Sequence, residues 1–129
     1  MASDQFVSHY YSTFDSDRKA LASLYEADET DAGKQRENSM LTFEGAQNLG
    51  AKDIAEKLTN LPFQKVQHNC SAIDAQPTPN GGIAILVTGH LKVDDQEHPL
   101  GFSQSFQLCQ DPVTGGWFVF NDLFRLVMM

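Results

Sequence analysis

His68 is the residue best suited to chemistry in this sequence, because an imidazole ordinarily changes charge between pH 5 and 8 and can pass a proton. Proton transfer in catalysis needs convergent partners, and no serine or cysteine nucleophile stands beside His68 in a motif that such chemistry uses. A hydrogen-bonded histidine in a pocket wall is therefore the expectation. The run Asp94-Asp95-Gln96-Glu97 offers oxygen ligands to a hard cation. It has neither the spacing nor the glycine of an EF-hand, and it lies between strand-like segments rather than helices. Taken alone it reads as a solvated hairpin tip. Cys70 and Cys109 lack the close spacing of a metal site or a redox pair and read as buried, reduced thiols. Phe43, Phe63, Phe118, Phe120 and Phe124 suit a core, or a core whose end is open, whereas Trp117 and Phe118 suit sheet packing. No cofactor and no metal is implied.

The elements that must position these residues follow from apolar periodicity. Ser3 is a candidate cap for a helix in which Phe6, Val7, Tyr10, Tyr11 and Phe14 form one stripe. Asp15-Ser16-Asp17 turns the chain, and Leu21, Leu24 and Tyr25 make a second, shorter helical face, so a helical hairpin opens the domain. Glu26 to Ser39 has no large apolar residue and is expected to be a mobile loop. Met40 to Glu44 reads as a short strand, and Gly45 and Gly50 bracket a loop. A third helix buries Ala51, Ile54, Ala55, Leu58 and Leu61 and ends at Pro62. From Gln64 the period becomes two, with Val66, His68, Cys70 and Ala72 on one face of a strand that runs to Ala75. Ile83 to Val93, Leu100 to Gln110 and Trp117 to Val127 are three more strands between turn clusters. Helices followed by long strands predict an α+β fold with helices on one face of an antiparallel sheet. The other face would keep Ile85, Val87, Phe106 and Leu108, or their alternates, for a second copy to cover; a one-residue register change exchanges the two sets.

Composition narrows the function. A chain of 129 residues makes one domain, 1–129, able to bury most of its apolar surface. Nine basic against 17 acidic residues give a net charge of -8, which repels phosphate backbones and argues against nucleic acid as a partner. The longest wholly apolar run, Ile83 to Val87, is far short of the roughly 20 residues a membrane helix needs, so no membrane insertion is expected. Met1-Ala2-Ser3-Asp4 lacks the basic and apolar regions of a secretory signal, and a soluble intracellular protein is the expectation.

Four segments carry a family likeness: Leu61-Pro62-Phe63-Gln64-Lys65-Val66-Gln67-His68, Asp94-Asp95, Gly101-Phe102-Ser103-Gln104-Ser105-Phe106 and Asn121-Asp122-Leu123-Phe124-Arg125-Leu126. Together they resemble the nuclear transport factor 2 family, from about Phe6 to Val127. The likeness is interrupted by an insertion of about ten residues within 26–39, a length that surface loops tolerate at small entropic cost. The resemblance implies a cone: a strongly curved antiparallel sheet wrapped around N-terminal helices, with an apolar cavity, of the nuclear transport factor 2-like or cystatin-like kind. It also implies a homodimer formed through the open sheet face. No reaction is catalysed in that family. Its members carry the GDP-bound GTPase Ran through the nuclear pore by weak contacts with phenylalanine-glycine repeats of nucleoporins, so cytoplasm and nucleus, with enrichment at the pore, are the implied locations. The family's first helix starts earlier, with an aromatic residue that meets those repeats; here exposed apolar residues along the dimer seam are expected to serve.

Carried over position by position, the cavity that receives an aromatic side chain of Ran would be walled by Phe43, Leu61, Phe63, Val66, Leu100 and Phe124, with His68 close to its mouth. The acidic rim would be Glu44 and Asp94, with Asp95 or Glu97 replacing the family's second acid, since Gln96 stands at that position. The same cone is similar to ketosteroid isomerases and scytalone dehydratases, which place acids and tyrosines or histidines deep in the cavity. Heterodimeric messenger-RNA export adaptors share it as well. The apolar lining with acids at its edge favours protein recognition over catalysis, and the matches at Leu61 to His68 and Asn121 to Leu126 favour the transport factor over the adaptor.

Overall fold

The computed structural model describes residues 2–25, 39–62, 64–111 and 115–127. The chain opens with α1 (Ala2–Ser16), whose predicted stripe is buried: Val7, Tyr10, Tyr11 and Phe14 are all at most 6% exposed. Ser3 lies inside this helix and is itself buried, so it is not the cap that its residue type suggests. A 3-10 helix, Arg18–Leu24, completes the hairpin and buries Leu21, with Tyr25 just beyond it. The expected loop at 26–38 lies outside the described residues.

A short strand, β1 (Met40–Phe43), is followed by β2 (Ala46–Leu49), where the sequence suggested only a loop. The turn between them explains the difference. Glu44 and Gly45 both take positive φ, 51° and 87°, which is the backbone of a two-residue hairpin whose twist matches its strands. β2 is largely exposed at the sheet edge, so its residues carry no apolar alternation to betray it. Next comes α2 (Ala51–Thr59), burying Ile54 and Leu58. It closes at Asn60 rather than reaching Pro62, because the residue before a proline is driven out of the helical region.

Four long strands follow: β3 (Val66–Pro77), β4 (Ile83–Val93), β5 (Leu100–Gln110) and β6 (Trp117–Val127). The sheet order is β2-β1-β6-β5-β4-β3. Every neighbour pair is antiparallel except β1 and β6, which run parallel with Phe43 opposite Phe124. The curved sheet is thus mixed rather than wholly antiparallel. Two bulges bend it, with Ser71 the extra residue of β3 between Cys70 and Ala72, and Phe120 the extra residue of β6 opposite Gln107 and Leu108. Gly89 sits against the first of these, where an added Cβ would run into the Asn69 carbonyl.

Register decides the faces. Ile85, Val87, Phe106 and Leu108 point inward, each about 1% exposed or less, and join α1 and α2 in the core. Their alternates face outward: Leu86 (46% exposed) lies opposite Ser105, which lies opposite Leu123 (56%). Of the two sets the sequence left open for the uncovered face, the structure takes the second.

Candidate functional site

At the end of the sheet where β1, β4, β5 and β6 meet the end of α1, a cavity of about 270 Å³ opens to the surface. Its wall is built from Phe14, Phe43, Pro62, Val66, His68, Leu91, Val93, Gln96, Leu100, Phe124 and Leu126. Each strand contributes by the same rule, that every second side chain points inward: Leu91 and Val93 from β4, Phe124 and Leu126 from β6. Phe43 and Phe124 stack, with centroids 4.6 Å apart and planes 9° from parallel, and Phe102 backs Phe124 at 5.9 Å. Lys57 of α2 holds its ammonium 5.7 Å above the Phe43 ring, a cation–π contact that fixes this wall from outside.

Five of the seven residues expected in the cavity are there: Phe43, Val66, His68, Leu100 and Phe124. Leu61 is buried in the core behind the wall, and Phe63 lies outside the described residues. Phe14, Leu91, Val93 and Leu126 were missed, although helical spacing from Tyr10 and Tyr11 and strand alternation from Val87 and Phe124 mark them as inward.

His68 is deep in the wall, its side chain 2% exposed. Nδ1 lies 2.6 Å from Asp15 Oδ1, while the backbone N–H of His68 donates to Asp15 Oδ2 at 2.9 Å, so both carboxylate oxygens hold one residue. The ring packs edge-on against Phe14 and Phe102, at 4.9 and 5.3 Å, and against Tyr11 at 4.7 Å. It is the hydrogen-bonded wall histidine expected.

The acids stand at the margin. Glu44 follows Phe43; its backbone N–H donates to the Phe124 carbonyl, and its carboxylate accepts from the Leu126 N–H. Asp94 follows Val93, and its Oδ1 accepts from the backbone N–H groups of Gln64 (3.0 Å) and Lys65 (2.9 Å). Both residues adopt φ of 51°, a conformation that is strained for a residue other than glycine and is more readily borne by Asp than by Glu. Asp95 and Glu97 are exposed and take no part in the lining, whereas Gln96 does. Arg18, stacked 5.9 Å above Phe14, has its basicity lowered by burial, and the charge of Asp94 works in the opposite direction. Among the described residues no group of three or more His, Cys, Asp or Glu side chains is placed to hold a metal, and no helix is long and apolar enough to cross a membrane.

One titratable cluster escaped sequence reasoning. Asp122 is 1% exposed and lies between β6 and the helices. Its Oδ2 accepts from the hydroxyls of Tyr25 (2.6 Å) and Tyr10 (3.2 Å), and its Oδ1 from Gln104 Nε2 (2.7 Å). The Tyr11 hydroxyl donates to Gln104 Oε1 at 2.6 Å. Burial pushes the Asp122 carboxyl up to about 6, against the pull of these hydrogen bonds. Tyr10 and Tyr25 are pushed up by burial and then by the Asp122 charge. The only sequence signal was an acid at an inward position two residues before Phe124. The carboxyl does not line the cavity.

Helices packed into a curved six-stranded sheet, with an apolar cavity bordered by fixed carboxylates, define an α+β cone. The nuclear transport factor 2 (NTF2) domain model matches residues 2–126. Nuclear transport factor 2 of Neurospora crassa is 65% identical over 125 residues, covering 97% of this chain and 92% of that protein. Its counterpart in Emericella nidulans is 51% identical, with 95% and 90% covered. The solved structure of nuclear transport factor 2 from Cryptosporidium parvum superposes with a TM-score of 0.84 at 43% identity, covering 97% of this chain and 91% of that one. The chain belongs to the nuclear transport factor 2 family.

Proposed function

We propose that this protein is a non-catalytic nuclear transport factor that binds GDP-bound Ran in its cavity and carries it through the nuclear pore. On this reading it works as a homodimer, touches phenylalanine-glycine repeats of nucleoporins weakly, and moves between cytoplasm and nucleus with enrichment at the pore. The observation that carries the proposal is the apolar cavity flanked by the tied carboxylates of Glu44 and Asp94. An aromatic side chain buried there is worth roughly 1.5–3 kcal/mol, against about 0–1 kcal/mol for an exposed ion pair, so the knob supplies affinity. The acids govern approach and partner choice. Leu86 and Leu123, exposed on the outer sheet face on either side of Ser105, support the homodimer.

The enzyme reading needs a carboxyl of raised pKa inside the cavity. The carboxyl raised here, Asp122, is sealed in the core by three hydrogen bonds and points at tyrosines, which supports binding over turnover. The test is a titration of the purified protein with Ran loaded with GDP or with a non-hydrolysable GTP analogue. Binding to the GDP form alone agrees with the proposal; binding to neither form removes it.

A further inference from the structure

His68 gives the inner wall of the cavity a polar point that an apolar side chain cannot satisfy. Asp15 accepts from Nδ1–H, and in the tautomer this bond selects Nε2 is an acceptor. Among the described residues Nε2 has no hydrogen-bonding partner, and it is not one of the fully buried unpaired side-chain atoms, so it keeps contact with the solvent of the cavity that His68 lines. A ligand that covers this nitrogen without offering a donor leaves it unpaired, at a cost. The near-parallel rings of Phe43 and Phe124 line the same cavity and form a flat aromatic wall. The volume of about 270 Å³ exceeds the roughly 150 Å³ in which an apolar protein cavity accommodates benzene.

We propose that the cavity binds small phenols, the ring lying against Phe43 and Phe124 and the hydroxyl donating to His68 Nε2. A phenyl group fills the apolar space but leaves the nitrogen unpaired, whereas a phenol meets both needs. Asp15 is a positioning residue here, because it fixes which nitrogen accepts. The proposal uses the same cavity as the Ran reading but stands without it, since binding is measured on the isolated protein.

The test uses p-cresol and p-xylene, two probes of nearly equal shape that differ by a hydroxyl for a methyl. Each is titrated into the nitrogen-15-labelled protein and followed by amide chemical shifts. The shifts are expected at Phe14, Val66, Leu91 and Phe124. The ratio of the p-xylene to the p-cresol dissociation constant is expected to fall about fivefold on His68→Phe, one neutral hydrogen bond's net worth. Taking the ratio removes the difference in hydration between the probes. Asp15→Asn keeps the side chain's size but releases the tautomer, and it should lower the same ratio while leaving p-xylene affinity unchanged. If His68→Phe does not fold, Asp15→Asn carries the test. An unchanged ratio in the folded variants, or p-cresol shifts confined to residues outside the cavity, overturns the proposal. Failure of GDP-bound Ran to displace bound p-cresol would instead count against the Ran site and leave the phenol site standing.

Discussion

Asp122→Asn turns the buried carboxylate into a stability measurement. The side chain is enclosed by Tyr10, Tyr25 and Gln104, with Tyr11 one bond further away, and among the described residues no charged group bonds to it. Its folded pKa, about 6, lies above the ordinary value of 3.8. A raised carboxyl contributes stability that is fully present below the unfolded pKa and is lost as pH rises through the folded one. The window is therefore about pH 4 to 6. At about 1.36 kcal/mol per decade, the gap amounts to roughly 3 kcal/mol, of which about 2–2.5 kcal/mol is lost between pH 4 and pH 8. Asparagine has no such titration, but its amide N–H₂ must face Gln104, whose own amide then has to turn over. The variant should be the less stable protein at pH 4 and should gain on wild type by about 2 kcal/mol by pH 8. Urea unfolding of both proteins at four pH values, compared as differences, cancels the titration of every other group. A difference that stays constant with pH would refute the reasoning, since the carboxyl would then titrate alike in the folded and unfolded chains.

Glu44→Gln keeps an oxygen for the Leu126 N–H and removes only charge, so affinity for GDP-bound Ran should fall by no more than about fivefold. Glu44→Lys adds like charge and should cost at least about tenfold; equal calorimetric affinities for wild type and both variants would remove Glu44 from the rim. Gly45→Ala meets no atom closer than 3.8 Å but must hold φ of 87°, so it should destabilise by about 1–2 kcal/mol through backbone strain alone, read as a lower urea midpoint. Leu123→Lys, on the outer face, should convert the proposed homodimer to monomer in light scattering, and an unchanged mass would assign the dimer to another surface. Tyr25→Phe removes the 2.6 Å bond to Asp122 and should cost about 1.5–3 kcal/mol at pH 7, with a smaller loss at pH 4, where the carboxyl is neutral.

Wherever one periodicity governed a whole element, the sequence was readable. The stripe from Phe6 to Phe14 and the alternation through Ile83 to Val93 required only that apolar side chains leave water. Reading stopped where a single local event decides. Positive φ at Glu44 and Gly45 makes β2, yet Glu is not a residue that announces such a turn. The bulge at Cys70/Ala72 ends the simple period of β3, so that Ala72 is exposed although Val66 and His68 point inward. The cavity wall was legible mainly through family likeness, which reached Phe43, Val66, His68, Leu100 and Phe124. Leu61 was read both as a buried helix residue and as cavity wall, and the structure takes the first, with Leu61 in the core. The Asp122 network had no sequence signal beyond an acid at an inward position, because its members lie on α1, beyond the 3-10 helix, and on β5 and β6.

That network and the cavity are positioned by one helix. Tyr10 and Tyr11 of α1 deliver hydroxyls to Asp122 and Gln104, and about one turn later Phe14 enters the cavity wall while Asp15 seizes His68. On β5 and β6 the same order appears: Phe124 lines the cavity with Phe102 behind it, and Gln104 and Asp122 lie two residues deeper. Apolar packing alone is non-directional and would let α1 slide or roll on the sheet. A one-residue slip turns the helix by about 100° and would carry Asp15 away from His68. Hydrogen bonds to a buried carboxylate resist that slip because each has a fixed length and direction, and leaving one unmade costs more than making it gains. The burial that weakens this protein above pH 6 is thus the same feature that holds the cavity's histidine in place. An apolar replacement of Asp122 would remove the pH penalty together with the constraint on the register of α1.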